Sequence, residues 1–247
     1  MRMSVLATAA ITILSISTPA FAQEETEVPP AVTVSGGATV VSDYRFRGIS
    51  QSNKRPAIQG TFTVSHESGV YATVWGSSIN GYIASNSSEL DLIAGYKHTF
   101  GSTTVDVGVT YYVYSDSPIP NTDFAEPYVA VSQTLGPVTG KISAVYAPKQ
   151  NALTLNGVTK EENFYLAGDV SAGIPGTPVS VSAHLGHNFS PSYLTFGQKY
   201  TDWSLGASYT WNHLTLGVSY VDTDADIFVG SRNISKGGVV ASLGVSF

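Results

Sequence analysis

The last strand of this chain constrains its fold more than any other feature. Val239, Ala241, Leu243, Val245 and Phe247 take every second position, and Gly238, Val240, Ser242, Gly244 and Ser246 fill those between. A period of two belongs to a β-strand with one apolar face and one small or polar face. A strand at a terminus leaves an open edge unless it pairs on both sides. A closed barrel supplies the second partner, because its last strand meets its first.

The same period runs through the chain from Val32 and marks twelve segments. They are residues 32–48, 56–66, 70–79, 89–98, 103–114, 126–135, 138–146, 163–173, 178–187, 201–211, 214–221 and the terminal strand. In the second, Ile58, Gly60, Phe62 and Val64 oppose Gln59, Thr61, Thr63 and Ser65. In the tenth, Trp203, Leu205, Ala207, Tyr209 and Trp211 oppose Ser204, Gly206, Ser208 and Thr210. The third is mixed on both faces, and its orientation stays open.

Short connectors (residues 67–69, 100–102, 136–137, 174–177 and 212–213) alternate with long ones throughout. That alternation predicts an all-β fold, a transmembrane up-and-down antiparallel β-barrel of about 12 strands. Strands of about ten residues suit a tilted crossing of a bilayer. A soluble β-sandwich shares the period but not the alternation of connectors. The outward aromatics also group at strand ends, as two membrane interfaces require. Tyr44, Phe46, Tyr111, Tyr146, Phe164, Trp203 and Tyr220 are expected at one end, and Tyr96, Tyr209, Trp211 and Phe247 at the other.

Composition agrees. Charged residues are 12% of the chain, yet mean hydropathy is only +0.08, so Ser, Thr, Gly and Asn dilute the apolar content. The formal charge of −6 argues against nucleic acid as a partner. There is no cysteine, hence no disulfide framework and no thiolate metal site. Residues 1–22 read as a secretory signal peptide with an Ala20-Phe21-Ala22 cleavage site, cut after Ala22. Residues 23–31 read as a short acidic, proline-containing tail, and 32–247 as the barrel.

If the apolar faces meet lipid, the polar faces line a lumen. The first segment places Asp43, Arg45 and Arg47 at alternate positions, and other segments add Glu89, Asp91, Lys97, Asp106, Glu126, Lys141 and Asp169. Opposed charges of this kind can form a constriction that sorts hydrated solutes. The same charges can instead pair and brace the wall, and both readings stay open. His184, on a lumen face beside Ser182, is the one candidate base, and no third partner for a catalytic group is evident. No nucleophile elbow, P-loop or zinc-protease motif occurs. Asp222, Asp224 and Asp226 begin like a calcium loop, but Ile227 stands where glycine is needed and Asn233 where a bidentate glutamate belongs. The expectation is no enzyme, no catalytic residue, no metal site and no cofactor.

The run Val41-Ser-Asp-Tyr-Arg-Phe-Arg-Gly-Ile-Ser-Gln51 is followed by Pro56-Ala-Ile-Gln-Gly60, Ser65-His-Glu-Ser-Gly-Val-Tyr-Ala72 and Val74-Trp-Gly-Ser77. Together these resemble the opening of the TorF-type porin family, the Gcw_chp domain outer-membrane proteins. The motifs span the first quarter of the chain, and general architecture carries the likeness beyond it. The resemblance implies an outer-membrane barrel with a channel role in a Gram-negative cell. The expected function is passive diffusion of small hydrophilic solutes. The alternatives are a lumen-blocked barrel with a structural or surface role and an outer-leaflet hydrolase. Expected partners are outer-membrane lipids, the solutes, and barrel-assembly machinery that reads Phe247 as a terminal signal. No segment encodes a subunit face, so no oligomer is assigned.

Overall fold

A computed structural model describes residues 31–80, 88–114 and 122–247. The predicted leader, 1–22, and all of the tail before Ala31 lie outside the described residues. Twelve strands form the wall: β1 (Val32–Val41), β2 (Ala57–His66), β3 (Val70–Ser78), β4 (Ser88–Phe100), β5 (Thr103–Tyr114), β6 (Phe124–Leu135), β7 (Val138–Ala147), β8 (Asn163–Gly173), β9 (Val179–Asn188), β10 (Tyr200–Trp211), β11 (Leu214–Thr223) and β12 (Gly238–Ser246). Each pairs antiparallel with its sequence neighbours, and β1 also pairs with β12, closing the barrel. No strand of this wall is left at an edge. Among the described residues no helix is long and apolar enough to cross a membrane.

The burial pattern is that of a soluble protein turned inside out. Outward Ile58 is 66% exposed and Leu205 65%, whereas inward Asp202 and Glu126 are nearly inaccessible. An apolar surface continuous around all twelve strands needs lipid rather than water. The third strand resolves in this frame. Tyr71, Thr73, Trp75 and Ser77 point inward, and Val70, Ala72 and Val74 outward. Its faces look mixed in sequence because two large aromatic rings fill the lumen side.

Tight turns close one end. Gly136 has φ 58° and precedes Pro137, whose ring holds φ near −65°, the pattern of a type II′ hairpin. At the closing seam Gly36 N–H donates to Phe247 O at 3.1 Å, and Phe247 N–H donates to Gly36 O at 3.0 Å. The Phe247 ring covers Gly36, where a Cβ would lie 2.7 Å from the ring edge.

The first strand departs from its predicted length. It ends at Val41, not near residue 48. The chain then turns into the barrel as a small hairpin, Arg45–Phe46 paired with Ile49–Ser50. Arg47 and Gly48 form its tip with φ of 47° and 81°, the two positive values of a type I′ turn. The alternation of Asp43, Arg45 and Arg47 therefore belongs to a loop, not to the wall. Tyr44 is buried and Phe46 packs inside on Tyr112, so neither joins the outer aromatic belt. Alternation alone could not show this, because a short hairpin strand has the same period as the strand it follows.

Candidate functional site: a hairpin inside the barrel

Asp43 organises the base of the hairpin. It receives Arg45 Nε at 2.6 Å, Ser50 Oγ at 2.5 Å and Ser52 Oγ at 3.2 Å. Arg45 also donates to the carbonyls of Gly48 and Lys236, so it clamps the loop and does not line an open wall. Behind the hairpin, Ile49 packs with Tyr200, Ala225, Ile227 and Ile234. Ser50 N–H donates to Ile234 O at 3.0 Å. The segment between β11 and β12 thus holds the hairpin from its rear.

The tip crosses the bore. In a ring of twelve strands, β7 stands opposite β1, with β6 and β8 beside it. Arg47 Nη2 donates to Glu126 Oε2 on β6 at 2.7 Å. Arg47 Nη1 donates to Asn163 Oδ1 on β8 at 3.0 Å, with Asn188 Oδ1 on β9 at 3.5 Å. The guanidinium lies 4.3 Å from the Tyr165 ring centroid and 4.7 Å from that of Phe46. Arg47 is 7% exposed and Glu126 1%. Burial works most strongly against the Arg47 charge, but the Glu126 carboxylate and the hydroxyls of Tyr112, Tyr165 and Tyr200 together outweigh it and hold the guanidinium above its ordinary value.

Below the tip a second polar layer spans the lumen. Lys97 lies 3.7 Å from Asp106, which also accepts from Tyr71 Oη at 2.8 Å, and Tyr71 hydrogen-bonds Tyr128. Lys141 lies 3.2 Å from Asp169. Both pairs stand directly opposite on adjacent strands, where cross-strand partners meet. His184 Nδ1 faces Asp169 at 2.7 Å, and Nε2 faces Asp202 at 3.0 Å. Both ring nitrogens meet carboxylates, so the ring has no free nitrogen to serve as a base. Between the layers lies a cavity of about 70 Å³, lined among others by Phe46, Arg47, Tyr112, Glu126, Tyr165 and His184.

Three tyrosines of this layer lie flat over glycines on neighbouring strands. Tyr71 covers Gly95, Tyr128 covers Gly108, and Tyr165 covers Gly186. Each glycine removes the Cβ that would lift the ring. Gly186→Ala is therefore expected to push the Tyr165 hydroxyl off Asp202 and cost about 1–3 kcal/mol. Gly168→Ala, where a Cβ meets nothing nearer than Lys141 O at 4.0 Å, should be close to neutral. Urea midpoints of the two variants in detergent micelles check the contrast.

The expected lumen residues are thus distributed over several places. Glu89, Asp91, Lys97, Asp106, Glu126, Lys141 and Asp169 stand on strands and face inward. Asp43, Arg45 and Arg47 enter from the loop. Glu89 accepts from Tyr44 Oη at 2.8 Å, while neither carboxylate oxygen of Asp91 has a hydrogen-bond partner among the described residues. Asp202, Asn163 and Asn188 were not singled out in the sequence, yet their signal is there. Each continues the inward parity of its strand: Asp202 with Ser204, Asn163 with Tyr165, and Asn188 with His184. Asp222 accepts from Thr223 N–H, Asp224 from Thr201 N–H and Asp226 from the Asn233 side-chain amide.

Residues 25–247 match the sequence profile of a family described as bacterial protein of unknown function. The sequence matches no curated protein. The fold resembles the NanC porin, at TM-score 0.60 and 15% identity over 87% of this chain and 99% of that one. It also resembles the KdgM porin, at TM-score 0.56 and 10% identity over 87% and 98% of the two chains. A third similar structure is the Salmonella typhi outer membrane phospholipase dimer with bound calcium, at TM-score 0.50 and 12% identity over 91% and 94%. At these identities the likeness establishes the fold alone. One barrel architecture carries channels and a hydrolase, so function has to be argued from the site.

Proposed function

The chain belongs to the Gcw_chp family of bacterial proteins, and from that premise we infer an outer-membrane channel for small hydrophilic solutes, narrowed by its own first loop. The observation that carries this reading is the arginine-tipped hairpin, lodged in a charged lumen with a cavity still open beside it. A wall of charged and hydroxyl groups suits water-filled space and small polar solutes. The porins of similar fold, and the porin role implied by the TorF-type resemblance, support the same reading. Lipid around the apolar belt and assembly machinery acting on the terminal strand complete the expected partners.

Seven described carboxylates face the lumen and its hairpin: Asp43, Glu89, Asp91, Asp106, Glu126, Asp169 and Asp202. Facing them are four basic side chains, Arg45, Arg47, Lys97 and Lys141, and the His184 ring between Asp169 and Asp202. The surplus is negative, so the pore should prefer cations. In a planar bilayer under a salt gradient the expected result is a small, steady conductance with a cation-selective reversal potential. A correctly folded barrel that passes no current would overturn the channel and favour the blocked, structural reading. That second reading has its own support in the full pairing of Arg47 across the bore.

A further inference from the structure

We infer that the wall opposite the hairpin is a binding site for guanidinium-type cations, and that Arg47 fills it as a tethered occupant. This deepens the channel reading and rests on it for its solute: a small molecule bearing a guanidinium or amidinium group. The wall supplies every component of such a site except the cation. Glu126 offers a carboxylate oxygen, Asn163 and Asn188 offer amide oxygens, and Tyr165 offers a ring face. All are acceptors or π-faces, which suits a planar fork of N–H donors and suits a carboxylate or neutral solute poorly.

Asn163, Glu126 and Tyr165 are each held by a contact that does not involve the hairpin. Asn163 Nδ2 donates to Ser190 O at 2.8 Å, which turns Oδ1 toward the bore. Tyr112 Oη donates to Glu126 Oε2 at 3.0 Å and fixes the carboxylate. Tyr165 Oη is held by Asp202. A wall needing only a brace would require none of this pre-orientation. The hairpin tip points the same way. Position 47 has φ 47°, where glycine is the low-strain choice. An arginine there is explained by its side chain rather than by the turn.

Nor does Arg47 exhaust the acceptors around it. Among the described residues Glu126 Oε1 is buried without a hydrogen-bond partner, so the site keeps an acceptor for a further N–H donor.

The test uses chemical replacement of the tethered group. Arg47→Gly keeps the turn and empties the site. Methylguanidinium at millimolar concentration should then raise the unfolding temperature of the variant and reduce its current, while methylurea, a neutral isostere, should do neither. The intact protein, its site already filled, should respond to both probes alike. Adding Glu126→Gln should weaken the methylguanidinium effect by about tenfold to a hundredfold, the loss of one charge-assisted hydrogen bond. Equal responses to the two probes, or a methylguanidinium effect that survives Glu126→Gln, would overturn the site. Arg47→Lys, run in parallel, covers the case in which the glycine variant does not fold. It leaves the planar fork empty and should show a smaller shift of the same sign. If no variant conducts, the channel reading fails while the thermal measurement still decides the site.

Discussion

Replacing Glu126 by Ala is expected to destabilise the barrel by about 3–5 kcal/mol, the cost of leaving a buried charge without its partner. Arg47 would keep its place between Phe46 and Tyr165 but lose the carboxylate that holds it at 2.7 Å. The Tyr112 hydroxyl would lose its acceptor as well. Equilibrium unfolding in urea against detergent micelles measures the loss. Glu162→Ala is the control, because Glu162 accepts a hydrogen bond from exposed Tyr146 and should change stability by less than about 0.5 kcal/mol. Pairing the loss with Arg47→Met should recover much of it, since removing both charges leaves nothing unpaired. A small loss in Glu126→Ala together with a large rise in conductance would mean that the hairpin swings out to water. The tip would then be a loose gate rather than a clamp.

Deleting Phe247 is expected to leave export intact and to stop assembly at the last seam. The pairing of β1 with β12 spans five residue pairs, from Gly37↔Ser246 to Val41↔Ser242. The pairing of β1 with β2 spans ten. Phe247 extends the shorter seam by two backbone hydrogen bonds to Gly36 and covers that glycine with its ring. Each such bond contributes about 0.5–1.5 kcal/mol, and they act where closure is weakest. Heat-modifiable migration of membrane fractions on a gel separates closed from open barrels. Phe247→Ala keeps the backbone bonds and loses the ring, so it should assemble at an intermediate yield. A deleted form that assembles at the yield of the intact chain would remove Phe247 from any role in closure or recognition.

The wall was legible because its rule is local. Alternate positions face opposite sides of a strand, so Ile58 against Gln59 or Leu205 against Ser204 can be sorted without knowing any neighbour. The strictness of the short–long alternation of connectors then fixes the order of pairing. The inward charges on strands, such as Asp106 and Lys141, follow from the same parity. The third strand resisted because Tyr71 and Trp75 are apolar by composition but face a lumen whose other groups hydrogen-bond or stack with them.

The hairpin site was legible only in its residue types. Arg47 stood out as a charge in an alternating run, but its depth in the bore depends on two backbone torsions at Arg47 and Gly48. Its partners Asn163 and Asn188 lie 116 and 141 residues away in sequence. By itself the sequence determined a closed, even-stranded barrel with lipid outside and polar groups inside, because side-chain period and connector length are properties of neighbouring residues. Only the tertiary structure decided that the first loop turns inward and that one guanidinium meets the opposite wall. That meeting requires strands six places apart to face one another across the bore, and strands do so only once β12 has paired with β1.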